Sequence, residues 1–171
     1  GIIKGSKLDI PYLYTNPLTV SDNKTKNWYR IWSGSGSNTG HSYCVFTISR
    51  SYNSPQNESY TFSVNIGYNG DISVTQLSGA KGSPLITKIR VVYKNSNSVY
   101  IDFYANANST YSNTYYVNGF GYGNFQTPSV APSVASDYTT YEFATTAGMK
   151  TNGNLTVGGS ISATGAVSSS N

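Results

Sequence analysis

The chain has 171 residues, of which Ser, Thr and Asn supply 62, and only 11% are charged, with a net charge of +4; ordinary soluble domains carry about 25% charged residues. Leu occurs six times and Glu twice, while Tyr alone contributes 16 residues, a balance that excludes a helical bundle and, with so many aromatics and so little net charge, also excludes disorder. The eleven basic residues are scattered rather than drawn into a stripe, so no nucleic-acid interface is expected, and no apolar run approaches the roughly 20 residues of a membrane span.

In chain order, the first segment with character is Asn27-Trp28-Tyr29-Arg30-Ile31, which opens a β-rich region. Trp28 and Trp32, four residues apart, precede the Gly/Ser loop Gly34-Ser35-Gly36-Ser37-Asn38-Thr39-Gly40-His41. That loop lacks the Gly-Lys-Ser/Thr ending of a phosphate cradle. Cys44 is the single cysteine, so the chain holds no internal disulfide or multi-thiolate metal site, and Cys44 reads as a small hydrophobe in a strand beside Tyr43 and Val45.

Residues 43–104 read as strands. Tyr60, Phe62, Val64 and Ile66 alternate with Thr61, Ser63, Asn65 and Gly67, the period of a half-buried strand. Asn69-Gly70 is a strong hairpin signal because both residues tolerate positive φ, and Ile72, Val74 and Leu77 mark the return strand. A second pair runs over Lys88 to Lys94 and Ser98 to Ala105. Ile89, Val91 and Tyr93 are expected to face inward against Val99, Ile101 and Phe103, with Lys88, Arg90 and Lys94 on a solvated face. The expected fold is all-β, an antiparallel sandwich or jelly-roll-like body.

Tyr111, Tyr115, Tyr116, Phe120, Tyr122 and Phe125 crowd into residues 111–125. Gly119-Phe120-Gly121-Tyr122-Gly123 puts aromatics on one face of an extended strand and bare glycine on the other, where a sheet neighbour or another subunit can approach closely. Residues 127–137, with Pro128, Pro132, Ser129, Ser133 and Ser136, look like a linker. After residue 153, glycine recurs at 153, 159 and 165 and a branched aliphatic at 155, 161 and 167. Such a short fixed period marks a β-helical or fibrous stack. Each hexad buries one apolar side chain, worth about 1.5–3 kcal/mol, against roughly 1–2 kcal/mol for each of six ordered residues. Order in this segment therefore requires other chains, as in an intertwined trimeric β-helix with Leu155, Val157, Ile161 and Val167 in its core; the alternative is a Gly/Ser-rich tail. The expected organisation is a body over 1–126, a linker and connecting strand over 127–149, and a hexad-repeat stalk over 150–171.

With the run Lys150-Thr-Asn-Gly-Asn-Leu-Thr-Val-Gly-Gly-Ser-Ile-Ser-Ala-Thr-Gly and the Asn27 to Ile31 stretch, the chain resembles the C-terminal part of trimeric bacteriophage tail fibres and tailspikes, including endosialidase-type tailspikes and L-shaped tail fibres. The resemblance implies a homotrimer on a virion tail, acting outside the cell at a host surface, whose stalk precedes a C-terminal intramolecular chaperone that cleaves itself off. The chain starts at Gly1 and ends at Asn171 without a chaperone sequence, as expected of a piece of a longer polypeptide or a matured fibre end. No active-site motif of those families matches.

Nothing in the sequence gathers an acid, a base and a nucleophile: His41 is the sole histidine and the seven carboxylates are dispersed. No catalytic residue, metal ligand or cofactor is expected. The aromatics and amides point to sugar recognition, in which flat rings meet the apolar face of a pyranose and Asn or Ser groups bind its hydroxyls. Tyr111, Tyr115, Tyr116 and Tyr122, among Asn106, Asn108, Asn113, Asn118 and Asn124, are the first candidates, and Trp28 and Trp32 the second; these rings could equally line a sheet or a subunit interface. The expected function is attachment of a phage to a bacterial cell-surface polysaccharide. The alternatives are a purely structural stalk and the non-catalytic part of a glycan-degrading tailspike.

Overall fold

The computed structural model describes residues 18–22, 26–34, 42–51, 58–67, 70–81, 85–94, 98–106, 113–145 and 150–151. These form strands β1 (Leu18–Asp22), β2 (Asn27–Gly34), β3 (Ser42–Ser51), β4 (Glu58–Ile66), β5 (Ile72–Lys81), β6 (Ile86–Lys94), β7 (Ser98–Ala105), β8 (Asn113–Tyr122), β9 (Asn124–Val130), β10 (Thr139–Ala144) and β11 (Lys150–Thr151), with no α-helix among them. One sheet runs β1-β8-β3-β4-β5-β11 and the other β10-β6-β7-β2-β9, with antiparallel pairing throughout. The hexads, including Leu155, Val157, Ile161 and Val167, lie outside the described residues, as do His41, the loop before it and Tyr111.

Period-2 patterning builds the body as a two-sheet sandwich. Cys44, Phe46 and Ile48 of β3 and Tyr60, Phe62, Val64 and Ile66 of β4 turn into the core. From the second sheet, Ile89, Val91 and Tyr93 stand directly opposite Phe103, Ile101 and Val99, all buried. Aromatic contacts sew the sheets together: Phe46 to Phe125 at 6.2 Å, Phe62 to Phe143 at 6.4 Å and Phe103 to Tyr115 at 5.3 Å between ring centroids. Pairs of this kind add about 0.5–1.5 kcal/mol beyond area burial.

Where strict alternation fails, a register shift explains it. Phe62 opposes Gln76 and Thr61 opposes Ser78, so Leu77 is the extra residue of a bulge. Leu77 is accordingly exposed and Gln76 is buried. At Ile31 in β2 a second irregularity lets Ile31 and Trp32 both be buried. The Trp32 ring fills a slot between glycines, since a Cβ on Gly34 or Gly123 would lie 2.0 or 2.1 Å from it. In the β4–β5 hairpin, Gly70 takes a φ of 82°, as the Asn-Gly signal requires.

Of the stretch read as a linker and connecting strand, residues 127–130 complete β9, 131–138 connect it to the next strand, and 139–144 are β10. β9 and β10 are the two edge strands of the second sheet, and Phe143 enters the core. Pro128 and Ser129 belong to β9 rather than to the connection; a proline cannot donate to a ladder, but edge strands and bulges accept it. Between the pairs Arg30↔Ser129 and Trp32↔Phe125, β9 loops out, and Pro128 sits in that irregular stretch.

One polar cluster ties the sheets at an end of the sandwich. The Glu58 carboxylate on β4 accepts from Arg50 Nε on β3 at 2.8 Å and from Tyr60 Oη at 3.2 Å. It also accepts the backbone N–H of Leu85 at 2.9 Å and of Ile86 at 3.2 Å, where β6 begins in the other sheet. Arg50 Nη1 donates to Asn113 Oδ1 on β8 at 3.0 Å. Burial, followed by the Glu58 charge, pushes the Tyr60 phenol up to about 12.

Candidate functional site

The outward face of the first sheet is the candidate site. Because Cys44, Phe46 and Ile48 point inward, Tyr43, Val45, Thr47 and Ser49 point out. The register sets Tyr43 opposite Tyr122 and Val45 opposite Phe120 on β8, then Thr47 opposite Asn118 and Ser49 opposite Tyr116. On the other side the same residues face Asn65, Ser63, Thr61 and Ser59. Tyr43, Phe120 and Tyr122 are 48%, 47% and 48% exposed. They make one aromatic patch, with cross-strand neighbours about 5 Å apart and i, i+2 neighbours about 7 Å apart.

Glycines hold β8 in place. A Cβ on Gly121 would lie 2.2 Å from the Tyr43 carbonyl oxygen and 2.5 Å from Cys44 Cα, and one on Gly119 would lie 2.4 Å from the Phe125 ring. The close neighbour expected at this glycine face is therefore β3 at Gly121 and the core aromatics at Gly119, which leaves Phe120 and Tyr122 turned outward.

Beside the patch runs a polar lane: Thr47 and Thr61 hydroxyls are 2.9 Å apart and those of Ser49 and Ser59 are 3.1 Å apart. Asn118 and Asn65 are exposed at its edges. Along the β3, β4 and β8 rows of this face the described residues carry, besides Val45, hydroxyls, amides and aromatics but neither carboxylate nor cation. The chemistry available is ring stacking and neutral hydrogen bonding.

The sequence candidates are distributed as follows. Tyr122 is in the patch, and Tyr116 is half-buried on the same face two pairs along. Tyr115 and Trp32 are fully buried core residues and offer no ring to a ligand: Tyr115 falls on the inward phase of β8, and Trp32 on the inward side of the β2 irregularity. Trp28 lies on the outer face of the second sheet, 5.0 Å from Tyr104 and with Arg90 stacked 4.3 Å above its ring. Tyr43 and Phe120 are members the sequence reading did not select. Extending the alternation of Cys44, Phe46 and Ile48 by one residue would have found Tyr43.

The second sheet's outer face differs in kind. Arg30, Asp102 and Arg90 form a cross-strand row, with Arg30 Nε 2.9 Å from Asp102 Oδ1 and Arg90 Nε 2.9 Å from Oδ2. Arg90 is thus buried against a carboxylate, not on a solvated face. Lys88 pairs with Glu142 and Lys94 with Asp137 across to β10 and the segment before it. The hydrogen bond from Lys94 lowers the Asp137 pKa, and the same contact raises that of Lys94.

Among the described residues, no three His, Cys, Asp or Glu side chains lie close enough to hold a metal ion, and no helix is long and apolar enough to cross a membrane. Burial raises the Cys44 thiol pKa, which keeps it a thiol rather than a nucleophilic thiolate. The fold defines an antiparallel two-sheet β-sandwich. No protein-family model, curated protein or solved structure matches the chain.

Proposed function

We propose that this chain is the receptor-binding module of a trimeric phage tail fibre or tailspike, non-enzymatic, and that it attaches the virion to a bacterial surface polysaccharide through the outward face of the first sheet. The observation that carries the reading is the patch of Tyr43, Phe120 and Tyr122, half exposed beside hydroxyls and amides, with no charge among the described residues of the β3, β4 and β8 rows. An aromatic ring stacks on the C–H face of a pyranose, and tyrosine does so with little loss of side-chain freedom. Asn118, Asn65 and the Ser/Thr lane are placed to meet sugar hydroxyls. A shallow, open face binds each sugar weakly, and three copies joined by a common stalk multiply weak contacts into avidity.

The test is Tyr43→Ala, Phe120→Ala and Tyr122→Ala, each checked for an unchanged melting temperature, then measured for adsorption to host cells and for binding to an array of bacterial polysaccharides. Each truncation should weaken adsorption about tenfold, and adsorption should vary little between low and high salt, because screening acts on charges and the described residues of the β3, β4 and β8 rows of this face carry none. Normal adsorption by all three folded variants would sink the reading and favour a structural stalk. Release of reducing ends from host polysaccharide would instead identify a glycan-degrading spike.

A further inference from the structure

On the opposite side of the molecule, the segment 131–138 crosses the outer face of the second sheet. It is held by Ala131 N–H donating to the Trp28 carbonyl at 2.8 Å, by the Lys94–Asp137 ion pair, and by Lys94 over the Tyr138 ring. Between segment and sheet lies a pocket of about 240 Å³. Arg30, Val92 and Tyr100 form its floor, and residues 132–135 with Tyr138 form its wall. The Tyr100 and Tyr138 rings, 6.2 Å apart and tilted by 36°, make an aromatic notch.

Among the described residues, the charges on this face do not balance. Lys88 is matched by Glu142 and Lys94 by Asp137, but Arg30 and Arg90 share the single carboxylate of Asp102. The Asp102 side chain is fully buried and the two guanidinium side chains are only 14% and 10% exposed. A largely desolvated cation ordinarily has its own counter-ion, and here one positive charge is left over. Arg30 Nη1 has no acceptor among the described residues, since its contacts to Asp102 run through Nε and Nη2. One guanidinium face is covered by the Tyr100 ring, 3.8 Å from its centroid. A planar donor edge beside an aromatic notch suits a planar carboxylate carried on a ring.

We propose that this pocket binds an acidic monosaccharide unit of the uronic acid type, its carboxylate on Arg30 and its ring against Tyr100 and Tyr138. The single surplus charge matches a carboxylate rather than a phosphate monoester, whose charge approaches −2. The volume falls below that of drug-sized sites and suits one sugar residue rather than an extended chain. The site is separate from the uncharged aromatic patch and does not depend on it.

The experiment titrates the full chain with glucuronate, glucose and acetate at low and high salt, following ligand-observed NMR saturation transfer. Arg30→Gln removes the surplus charge yet leaves the Arg90–Asp102 pair intact, and Tyr138→Ala removes half the notch without touching that pair. Glucuronate should bind saturably, at least tenfold more weakly in either variant and severalfold more weakly in high salt, with glucose and acetate each much weaker than glucuronate. If Arg30→Gln lowers the melting temperature, Tyr138→Ala alone decides. Glucuronate binding unchanged in folded Tyr138→Ala overturns the proposal, as does acetate binding equal to glucuronate, or glucose binding equal to glucuronate. Because the readout is a small charged sugar, failure here leaves adsorption through Tyr43, Phe120 and Tyr122 standing, and the converse also holds.

Discussion

Removing the Glu58 carboxylate should be among the most damaging single changes to the body. Its side chain is fully buried, and it accepts from Arg50, Tyr60 and the N–H groups of Leu85 and Ile86. Glu58→Ala strands the buried Arg50 charge, a loss of about 3–5 kcal/mol. It also leaves two amides at the start of β6 without their acceptor, at about 1–3 kcal/mol each where water cannot replace it. Glu58→Gln keeps an oxygen for those amides but not the charge, so its loss should sit near the lower end, about 3 kcal/mol. In Glu58→Gln, replacing Arg50 by Met removes the stranded cation, and the double variant should therefore be no less stable than Glu58→Gln alone. The coupling is then at least as large as the loss in Arg50→Met alone, about 3 kcal/mol or more. Urea denaturation followed by tyrosine fluorescence reads all four corners of the cycle and Glu58→Ala beside them, whose midpoint shift should be about 2.5 M or more at a slope of about 2 kcal/mol per molar. A loss below about 1 kcal/mol for Glu58→Ala, or additive effects of the two single changes, would refute the assignment of this cluster as the clamp between the sheets.

Gly123→Ala should destabilise by about 2–5 kcal/mol, since a Cβ there meets the Trp32 ring at 2.1 Å and the φ of 136° disfavours a side chain; thermal melting checks it, and an unchanged melting temperature would contradict the packing. Tyr60 is raised to about 12 from 10.0, so the folded state holds its proton longer than the unfolded chain. Its contribution is complete below pH 10 and falls by about 1.4 kcal/mol per pH unit up to about pH 12; Tyr60→Phe should flatten that part of the stability profile, as measured by urea midpoints from pH 9 to 12. Light scattering of the assembled protein should give three times 18.4 kDa, and a monodisperse monomer would remove the avidity on which the attachment reading relies.

The sandwich could be read from the sequence wherever both faces of a strand differ in polarity. Tyr60 to Ile66 and the facing triplets Ile89, Val91, Tyr93 and Val99, Ile101, Phe103 lie as their alternation requires. The reading failed where local signals conflict with tertiary context. Proline and serine made 127–130 look like part of the connection at 131–138, although these residues complete β9, because sequence does not reveal that an edge strand needs donors on one side only. Arg90 looked solvated because its partner, Asp102, is twelve positions away on another strand. For the site, density of tyrosines was a poor guide: the cluster at 111–122 splits by phase, with Tyr115 inward and Tyr122 outward. Tyr43 joins Tyr122 only through the β3–β8 pairing, which no local pattern encodes.

That β3–β8 pairing also dictates the order in which the body can be finished. The meander β3-β4-β5 and the hairpin β6-β7 join neighbouring segments, but Tyr43 must wait for Tyr122, and Trp28 for Tyr104. As the chain leaves the ribosome, one edge of β3 and both edges of β2 stay unpaired until most of the body has been made. Closing such distant partners is slow, and open edges invite pairing with other nascent chains. Chains of the proposed trimer would face that hazard at high local concentration. On the outer row of β3, Thr47 and Ser49 present little apolar surface during the wait, whereas Tyr43 stays uncovered both then and in the finished face.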